Sequence, residues 1–168
     1  MKLVGTICEG KNNDGLSRIR VFNQELPVMH VRDNFVGKRV VVNGSIKWND
    51  GLGAYVDARE CVETDKPDCN KVVVSGVIVS ILPEIKNARN KRSACIILKQ
   101  RAARKVLVTA LSSNVDKLDV GNLSIGSAIC VGGYISYHNR GLHVVYSGTL
   151  QRREPEVVQQ AEESERKI

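Results

Sequence analysis

One strand-like segment occurs twice in this chain, at positions 89 residues apart. Residues 37–48 read GKRVVVNGSIKW and residues 126–137 read GSAICVGGYISY. Each begins with glycine and has a second glycine seven positions later, Gly44 or Gly133, then isoleucine and an aromatic residue at two-residue intervals. Self-similarity at a fixed spacing indicates an internal repeat. The chain is therefore predicted to contain two copies of one folding unit; the alternative is coincidence between two valine-rich strands.

Short apolar runs separated by turn residues predict an all-β fold. Five such runs precede residue 63 and five more follow residue 72, with one short helix predicted in SNVDKLDVGN. A small β unit must deal with its edge strands, and closure into a barrel removes them. A glycine in mid-strand lets the strand bend at such a closure. The predicted fold class is all-β, with two tandem five-stranded OB-fold barrels and a short charged C-terminal tail.

The domain boundaries follow from where the strand series ends and restarts. Between the two series lies TDKPDCNK, a polar stretch containing proline, which is typical of a linker. The last residues are charged and poor in large apolar side chains. The predicted boundaries are 1–63 for OB-fold 1, 64–71 for the linker, 72–153 for OB-fold 2 and 154–168 for a flexible tail.

Charge is distributed unevenly along the chain, whose net charge is +7 over 168 residues. Residues 1–70 hold 10 Lys/Arg and 10 Asp/Glu, so they are neutral. Residues 71–153 hold 13 and 3, and residues 154–168 hold 2 and 5. A basic middle segment beside a neutral one indicates a polyanionic partner for the second half.

Several function classes find no support in the sequence. There is no apolar run of about 18 residues for a membrane span, and the N-terminus lacks the features of a signal peptide. We therefore expect no membrane partner and a cytoplasmic location. The five cysteines lack zinc-ligand spacing, and no nucleotide-loop, metalloprotease or hydrolase motif is present. The sequence predicts free thiols, no metal, no cofactor, no small-molecule substrate and no enzymatic activity.

The repeated strand resembles the fourth strand of the bacterial single-stranded DNA-binding protein family, to which PriB-type primosomal proteins are related. The resemblance rests on GKRVVVNGSIKW and GSAICVGGYISYHNRG, and so it covers both halves. It implies tandem OB folds, a homodimer that supplies four barrels, and non-catalytic binding of single-stranded DNA in replication, repair or recombination. Little sequence preference is expected, because aromatic side chains stack on bases of any identity.

OB folds bind ligands on strands two and three, between the loops that join strands one to two and four to five. In the second half, eight cations and no acid lie within residues 86–105, where they would contact phosphates. The first half offers cations next to aromatic rings, which suit stacking. The predicted nucleic-acid-binding residues are Arg18, Arg20, Phe22, Lys47, Trp48 and Tyr55 in the first half, and Lys86, Arg89, Lys91, Arg92, Lys99, Arg101, Arg104, Lys105, Tyr137, His138 and Arg140 in the second.

Two other functions remain open from the sequence. An RNA- or tRNA-binding module would use the same basic loops. An OB-fold adaptor that docks protein partners would suit the low aromatic content, which is seven residues in the whole chain. The sequence does not decide between these alternatives or show whether both barrels bind.

Overall fold

The structure is a computed structural model, and it describes residues 1–100, 105–138 and 141–153. The predicted flexible tail lies outside these residues, as do the predicted site residues Arg101, Arg104 and Arg140. His138 is described by its backbone alone.

The first half of the chain forms five strands with one single-turn 3-10 helix at Asp33–Phe35. Strand β1 pairs antiparallel with both β2 and β4, β2 pairs with β3, and β4 pairs with β5. A parallel pairing of β3 with β5 completes the circle. The strands enclose a core of fully buried aliphatic side chains from every strand. The strands are β1 (Lys2–Glu9), β2 (Leu16–Val21), β3 (Gln24–Met29), β4 (Arg39–Asn49) and β5 (Gly53–Glu63).

The second half repeats this arrangement strand for strand. Strand β6 pairs antiparallel with β7 and β9, β7 pairs with β8, and β9 pairs with β10. A parallel pairing of β8 with β10 closes the second barrel. The predicted short helix is present between β8 and β9. The elements are β6 (Cys69–Lys86), β7 (Arg92–Lys99), β8 (Lys105–Leu111), α1 (Asn114–Leu118), a 3-10 turn (Val120–Asn122), β9 (Ala128–His138) and β10 (Gly141–Arg153).

These pairings confirm the predicted fold class of two tandem five-stranded OB-fold barrels. The two barrels are joined by more than a connecting segment. Residues 69–71, which fall in the predicted linker, form the start of β6 and pair antiparallel with residues 2–4 of β1. The division of the chain into separate domains stays a prediction.

The repeated glycine marks a point of very close backbone approach in each barrel. A Cβ atom added to Gly44 in β4 would lie 2.2 Å from the carbonyl oxygen of Asp57 in β5. The same atom added to Gly133 in β9 would lie 2.1 Å from the carbonyl oxygen of Val145 in β10. In both barrels the strand register shifts beside this glycine. Only a residue without a side chain allows these backbones to approach so closely, which explains why the sequence repeats glycine at this position.

Replacing either glycine by alanine is expected to destabilise the protein strongly. Overpacking against backbone costs about 2 kcal/mol or more, which corresponds to a fall in Tm of about 4 °C or more. Gly44→Ala and Gly133→Ala are compared by thermal unfolding with Gly121→Ala, where no atom lies within 4 Å of the added Cβ. Equal Tm values for all three variants would show that the close approach does not constrain the barrels.

Candidate nucleic-acid interface

The tip of the β4–β5 hairpin of the first barrel meets the β7–β8 hairpin of the second barrel in an open groove. Trp48 lies at this tip with 55% of its surface exposed. The Trp48 groove joins an indole ring from one barrel to a lysine and apolar side chains from the other. Its lining residues are Ile46, Lys47, Trp48, Ala54, Ile97, Gln100, Lys105, Val106, Leu107 and Leu142.

The equivalent aromatic residue of the second barrel makes the reciprocal contact. Tyr137 corresponds to Trp48 in the repeat, and it lies near β2 of the first barrel. The guanidinium carbon of Arg18 is 5.8 Å from the centroid of the Tyr137 ring, within the range of a cation–π contact. The two predicted residues are therefore brought together, although they lie in different barrels. Each barrel presents the aromatic tip of its fourth strand to the second or third strand of its neighbour.

Polar contacts made by β9 connect the second barrel to the first barrel and to the start of β6. We call this line of contacts, formed by Asn70, Ile135, Gln24 and Ser136, the seam. The side-chain amide of Asn70 donates to the Ile135 carbonyl oxygen at 2.7 Å and accepts from the Ile135 amide at 2.8 Å. The Gln24 amide donates to the Ser136 hydroxyl at 3.3 Å, and Ser136 is buried. Because Asn70 makes a paired contact with the backbone, it fixes the position of β9 relative to the start of β6.

A hydrogen-bonded turn presents three of the predicted cations, Lys86, Arg89 and Lys91, at one end of β7. The Asn87 side chain accepts hydrogen bonds from the backbone amides of Arg89 and Lys91, both at 2.9 Å. Asn90 has a φ of 56°, which asparagine tolerates better than most residues. All three basic side chains are exposed. Among the described residues none of the three forms an ion pair.

Arg92 does not belong with these cations, since two carboxylates hold it. Its Nε lies 2.6 Å from Glu84 Oε1 and its NH1 lies 2.7 Å from Asp116 Oδ1. A second bond, from NH2 to Glu84 Oε2 at 2.9 Å, makes the Glu84 contact bidentate. The hydrogen bond from Arg92 keeps the pKa of Glu84 below its usual value. Arg92 stays a predicted binding residue, although its guanidinium already joins β6 to α1 through these two carboxylates.

A second basic group lies at the opposite end of β7. Lys99 and Lys105 face each other as direct partners across β7 and β8, and both are exposed. Seven residue steps separate Arg92 from Lys99, or about 23 Å of extended strand. The cations predicted as one cluster thus form two groups at the two ends of one strand pair. Like charges placed opposite one another destabilise a strand pair unless an anion lies nearby.

Two of the three predicted cations of the first barrel, Arg20 and Lys47, form ion pairs within that barrel. Arg20 donates to Glu25 Oε1 from both Nε and NH2, at 3.1 and 2.6 Å. Lys47 forms an ion pair with Asp57, so it lines the groove as a paired charge. Tyr55 is only 8% exposed, and a ring so deeply buried leaves little surface for a base. The assignment of Tyr55 to the binding surface stays a prediction with little exposed ring behind it, whereas Phe22 and Trp48 are both exposed.

Asp57 is the acid that fixes the Lys47 side of the groove. Its Oδ1 lies 2.6 Å from His30 Nδ1, and its Oδ2 contacts Lys47. Burial by itself would raise the pKa of Asp57, but hydrogen bonds from Lys47 and His30 outweigh burial and hold this pKa below its ordinary value of 3.8. The carboxylate therefore stays ionised and keeps Lys47 oriented at neutral pH.

Two features of this surface could not be predicted from the sequence. The groove is shared between barrels, and Ile97, Gln100 and Leu107 line it although none was predicted. The partial signal was the repeat itself, because equivalent positions carry Trp48 and Tyr137.

Among the described residues, no group of three or more His, Cys, Asp or Glu side chains is placed to hold a metal ion. Within that same part of the chain, no helix has the length and apolar character to cross a membrane.

Comparison with known proteins identifies similar folds among solved structures. No protein-family model matches the sequence, and no curated protein matches it. The wild-type single-stranded DNA binding protein from Thermus aquaticus matches 95% of this chain and 95% of its own, with a TM-score of 0.70 and 14% identity. A deletion mutant of the same protein matches 95% of this chain and 96% of its own, with a TM-score of 0.67 and 16% identity. At these identities the similarity shows a shared fold over nearly the whole of both chains.

Asp57→Asn is expected to destabilise the protein at neutral pH by about 1–3 kcal/mol, because it removes a buried ion-paired acceptor. A carboxyl with a lowered folded-state pKa contributes stability that is complete above its unfolded value and is lost as pH falls through the folded value. The difference between wild type and variant should therefore shrink as the pH is lowered below about 3.8. Urea unfolding at pH 7 and in acid measures this difference in the free energy of unfolding. The control is Asp65→Asn, which changes an exposed carboxylate. A difference independent of pH would contradict the assigned role.

Proposed function

We propose that this protein is a non-catalytic single-stranded DNA-binding protein that acts in DNA replication, repair or recombination. The observation that carries the proposal is the Trp48 groove, which an exposed indole and Lys105 line together, with Lys99 as the cross-strand partner of Lys105. A stacking ring together with cations that form no ion pair among the described residues is the combination that suits single-strand binding. The Thermus aquaticus protein of the same fold, which is described as single-stranded DNA binding, supports the proposal.

The energetics of the exposed surface favour a polyanionic ligand. Lys99 and Lys105 repel each other in the unliganded protein, and a phosphate between them would relieve that repulsion. Trp48 leaves more than half of a large apolar ring in water, which is unfavourable unless a ligand covers it. A single nucleotide would relieve both unfavourable features, because its phosphate would lie between the two lysines and its base would cover the indole ring.

The outer surface of β7 and β8 provides a path between the two basic groups. Ile97 and Leu107 line the Trp48 groove at one end, and Cys95 and Thr109 lie further along the two strands, with Sγ and Oγ1 3.4 Å apart. A strand laid along this surface would run from Lys99 and Lys105 toward Lys86, Arg89 and Lys91. The path spans about 23 Å, which suits the few nucleotides that one OB fold covers.

The further details of the proposal concern assembly and location. We propose a homodimer, so that four barrels act together, in the cytoplasm of a bacterial or phage-infected cell and associated with the nucleoid. Analytical ultracentrifugation of the full chain measures the assembly directly: a dimer is expected, and a monomer at all concentrations would exclude it.

Fluorescence of Trp48, which is the single tryptophan of the chain, tests the placement of the ligand. Oligo-dT is expected to quench the indole emission, because a base stacked directly on the ring quenches its excited state. Oligo-rU and a duplex of matched length are titrated in parallel. Stronger quenching by oligo-rU would favour the RNA-binding alternative. Binding detected by anisotropy without quenching would show that Trp48 does not contact the bases.

The double variant Lys99→Gln/Lys105→Gln tests the phosphate contacts. Each phosphate contact on a single strand contributes about 0.7 to the slope of log affinity against log salt. Removing two should lower that slope by about 1.4 and weaken binding at about 100 mM salt by at least 10-fold. The matched control is Lys66→Gln/Lys117→Gln, which removes two exposed lysines outside the groove. A wild-type protein that binds no single strand above about 50 mM salt would overturn the proposal and favour the protein-docking alternative.

A further inference from the structure

An open pocket lies between the two barrels, beside the seam and separate from the Trp48 groove. Its volume is about 340 Å³, at the lower end of the range for small-ligand sites. Two aromatic residues from different barrels contribute to it, together with three side-chain amides. The residues that line this seam pocket are Val21, Phe22, Asn23, Gln24, Asn70 and Tyr134.

Phe22 is held in a conformation that folding alone does not explain. It is the first residue of the two-residue turn between β2 and β3, and its φ is 53°. Glycine or asparagine normally takes such a position, because a side chain there is strained. Phe22 nevertheless exposes 61% of its surface, so the ring gains little from burial. A strained backbone that presents an exposed aromatic ring indicates a functional constraint.

The turn is fixed from outside the first barrel. The backbone amide of Phe22 donates to the Asp68 carboxylate, which also accepts from Arg39. Arg39 donates in addition to the Lys66 carbonyl oxygen at 2.6 Å. These bonds attach the strained turn to the segment that joins the barrels, and they hold the pKa of Asp68 below its usual range against the opposing effect of burial. The ring is therefore pre-positioned before any ligand arrives.

The opposite side of the pocket supplies a second ring and an unused hydrogen-bonding group. Tyr134 is 38% exposed on β9. The Gln24 amide donates to Ser136 from Nε2, and its Oε1 is buried without a partner among the described residues. A buried acceptor without a hydrogen-bond donor is unfavourable. A ligand with an N–H group at its edge would satisfy it after a small rotation of the amide.

We propose that the seam pocket binds one nucleobase of a single strand, with its faces against Phe22 and Tyr134 and its edge toward the Gln24 amide. Flat aromatic ligands with N–H groups at the edge are the chemical class that fits two rings and amides. The inference rests on the proposed function and adds a base-binding subsite to it. Arg18 beside Tyr137 lies on the same pair of strands, where it can contact the adjoining phosphate.

The test compares Phe22→Gly, Tyr134→Ala and Tyr134→Phe in the full chain, with oligo-dT and with an abasic oligomer of the same length as probes. Phe22→Gly and Tyr134→Ala should weaken oligo-dT binding by about 5-fold or more, since one stacked base is lost. Tyr134→Phe should bind as wild type does, because the ring is kept. None of the three should alter binding to the abasic oligomer, which has phosphates but no bases. Ile125→Ala, which shortens an apolar side chain that is 68% exposed outside the pocket, is the control.

Thermal unfolding separates a binding role from a structural one. Glycine tolerates a positive φ, so Phe22→Gly should leave Tm equal to or above that of wild type while it weakens binding. A clear fall in Tm would contradict the strain argument. Unchanged oligo-dT affinity in Phe22→Gly and Tyr134→Ala, together with weakened binding in Lys99→Gln/Lys105→Gln, would overturn the seam pocket and leave the proposed function intact. A wild type that binds no single strand would overturn both.

Discussion

The structure depends on the closure of two very small barrels. In each barrel the closing contact is a short parallel pairing, with two residue pairs between β3 and β5 and two between β8 and β10. So short a pairing forms only if the neighbouring antiparallel pair is drawn close and strongly bent. Gly44 and Gly133 allow this, because a side chain at either position would overlap a carbonyl oxygen of the adjacent strand. The repeated glycine in the sequence is thus a direct consequence of barrel geometry.

Closure also determines how the two barrels meet. In each closed barrel every strand already pairs with two neighbours. The barrels therefore join through the extensions of their first strands, where residues 2–4 of β1 pair with residues 69–71 of β6. Asn70 belongs to this pairing and also holds β9 through the Ile135 backbone. The orientation that results brings the fourth-strand tip of each barrel against its neighbour. The interface that we propose for nucleic acid exists only because two copies of one unit pack in this way.

The sequence allowed the strands, the repeat, the short helix and the fold class to be predicted, since all of these depend on local patterns. Turn residues separated the strands, and the glycine at equivalent positions revealed the repeat. The partners of charged residues could not be predicted, because ion pairs depend on which strands become neighbours. Arg92 was grouped with the nearby cations, yet its partner Asp116 is 24 positions away in sequence. Sequence shows charges, whereas only the fold shows which of them are already paired.

Tyr55 illustrates a different limit. An exposed strand normally alternates between buried and exposed residues, so a tyrosine next to a hairpin could be expected on the outside. Residues 54–58 of β5 are instead all buried. This part of β5 has the core of its own barrel on one side and packs against β10 of the second barrel. The alternation rule therefore fails where one barrel covers the other, which no pattern within a single strand can reveal.

The uneven charge of the two halves acquires a structural meaning from these contacts. The first half is neutral because its cations and acids are equal in number, and four of its ten cations form ion pairs within that half, as Arg20–Glu25, Lys38–Glu63, Arg39–Asp68 and Lys47–Asp57. In the described part of the second barrel, most of the predicted cations form no such pair. Under the proposed function, phosphate attraction comes mainly from the second barrel, while Phe22 and Trp48 of the first barrel supply stacking surface. The two contributions can act on one strand only while the seam holds the barrels together, so the contacts of Asn70 and Gln24 would influence affinity through the packing of the barrels, in addition to the base contact proposed for Gln24.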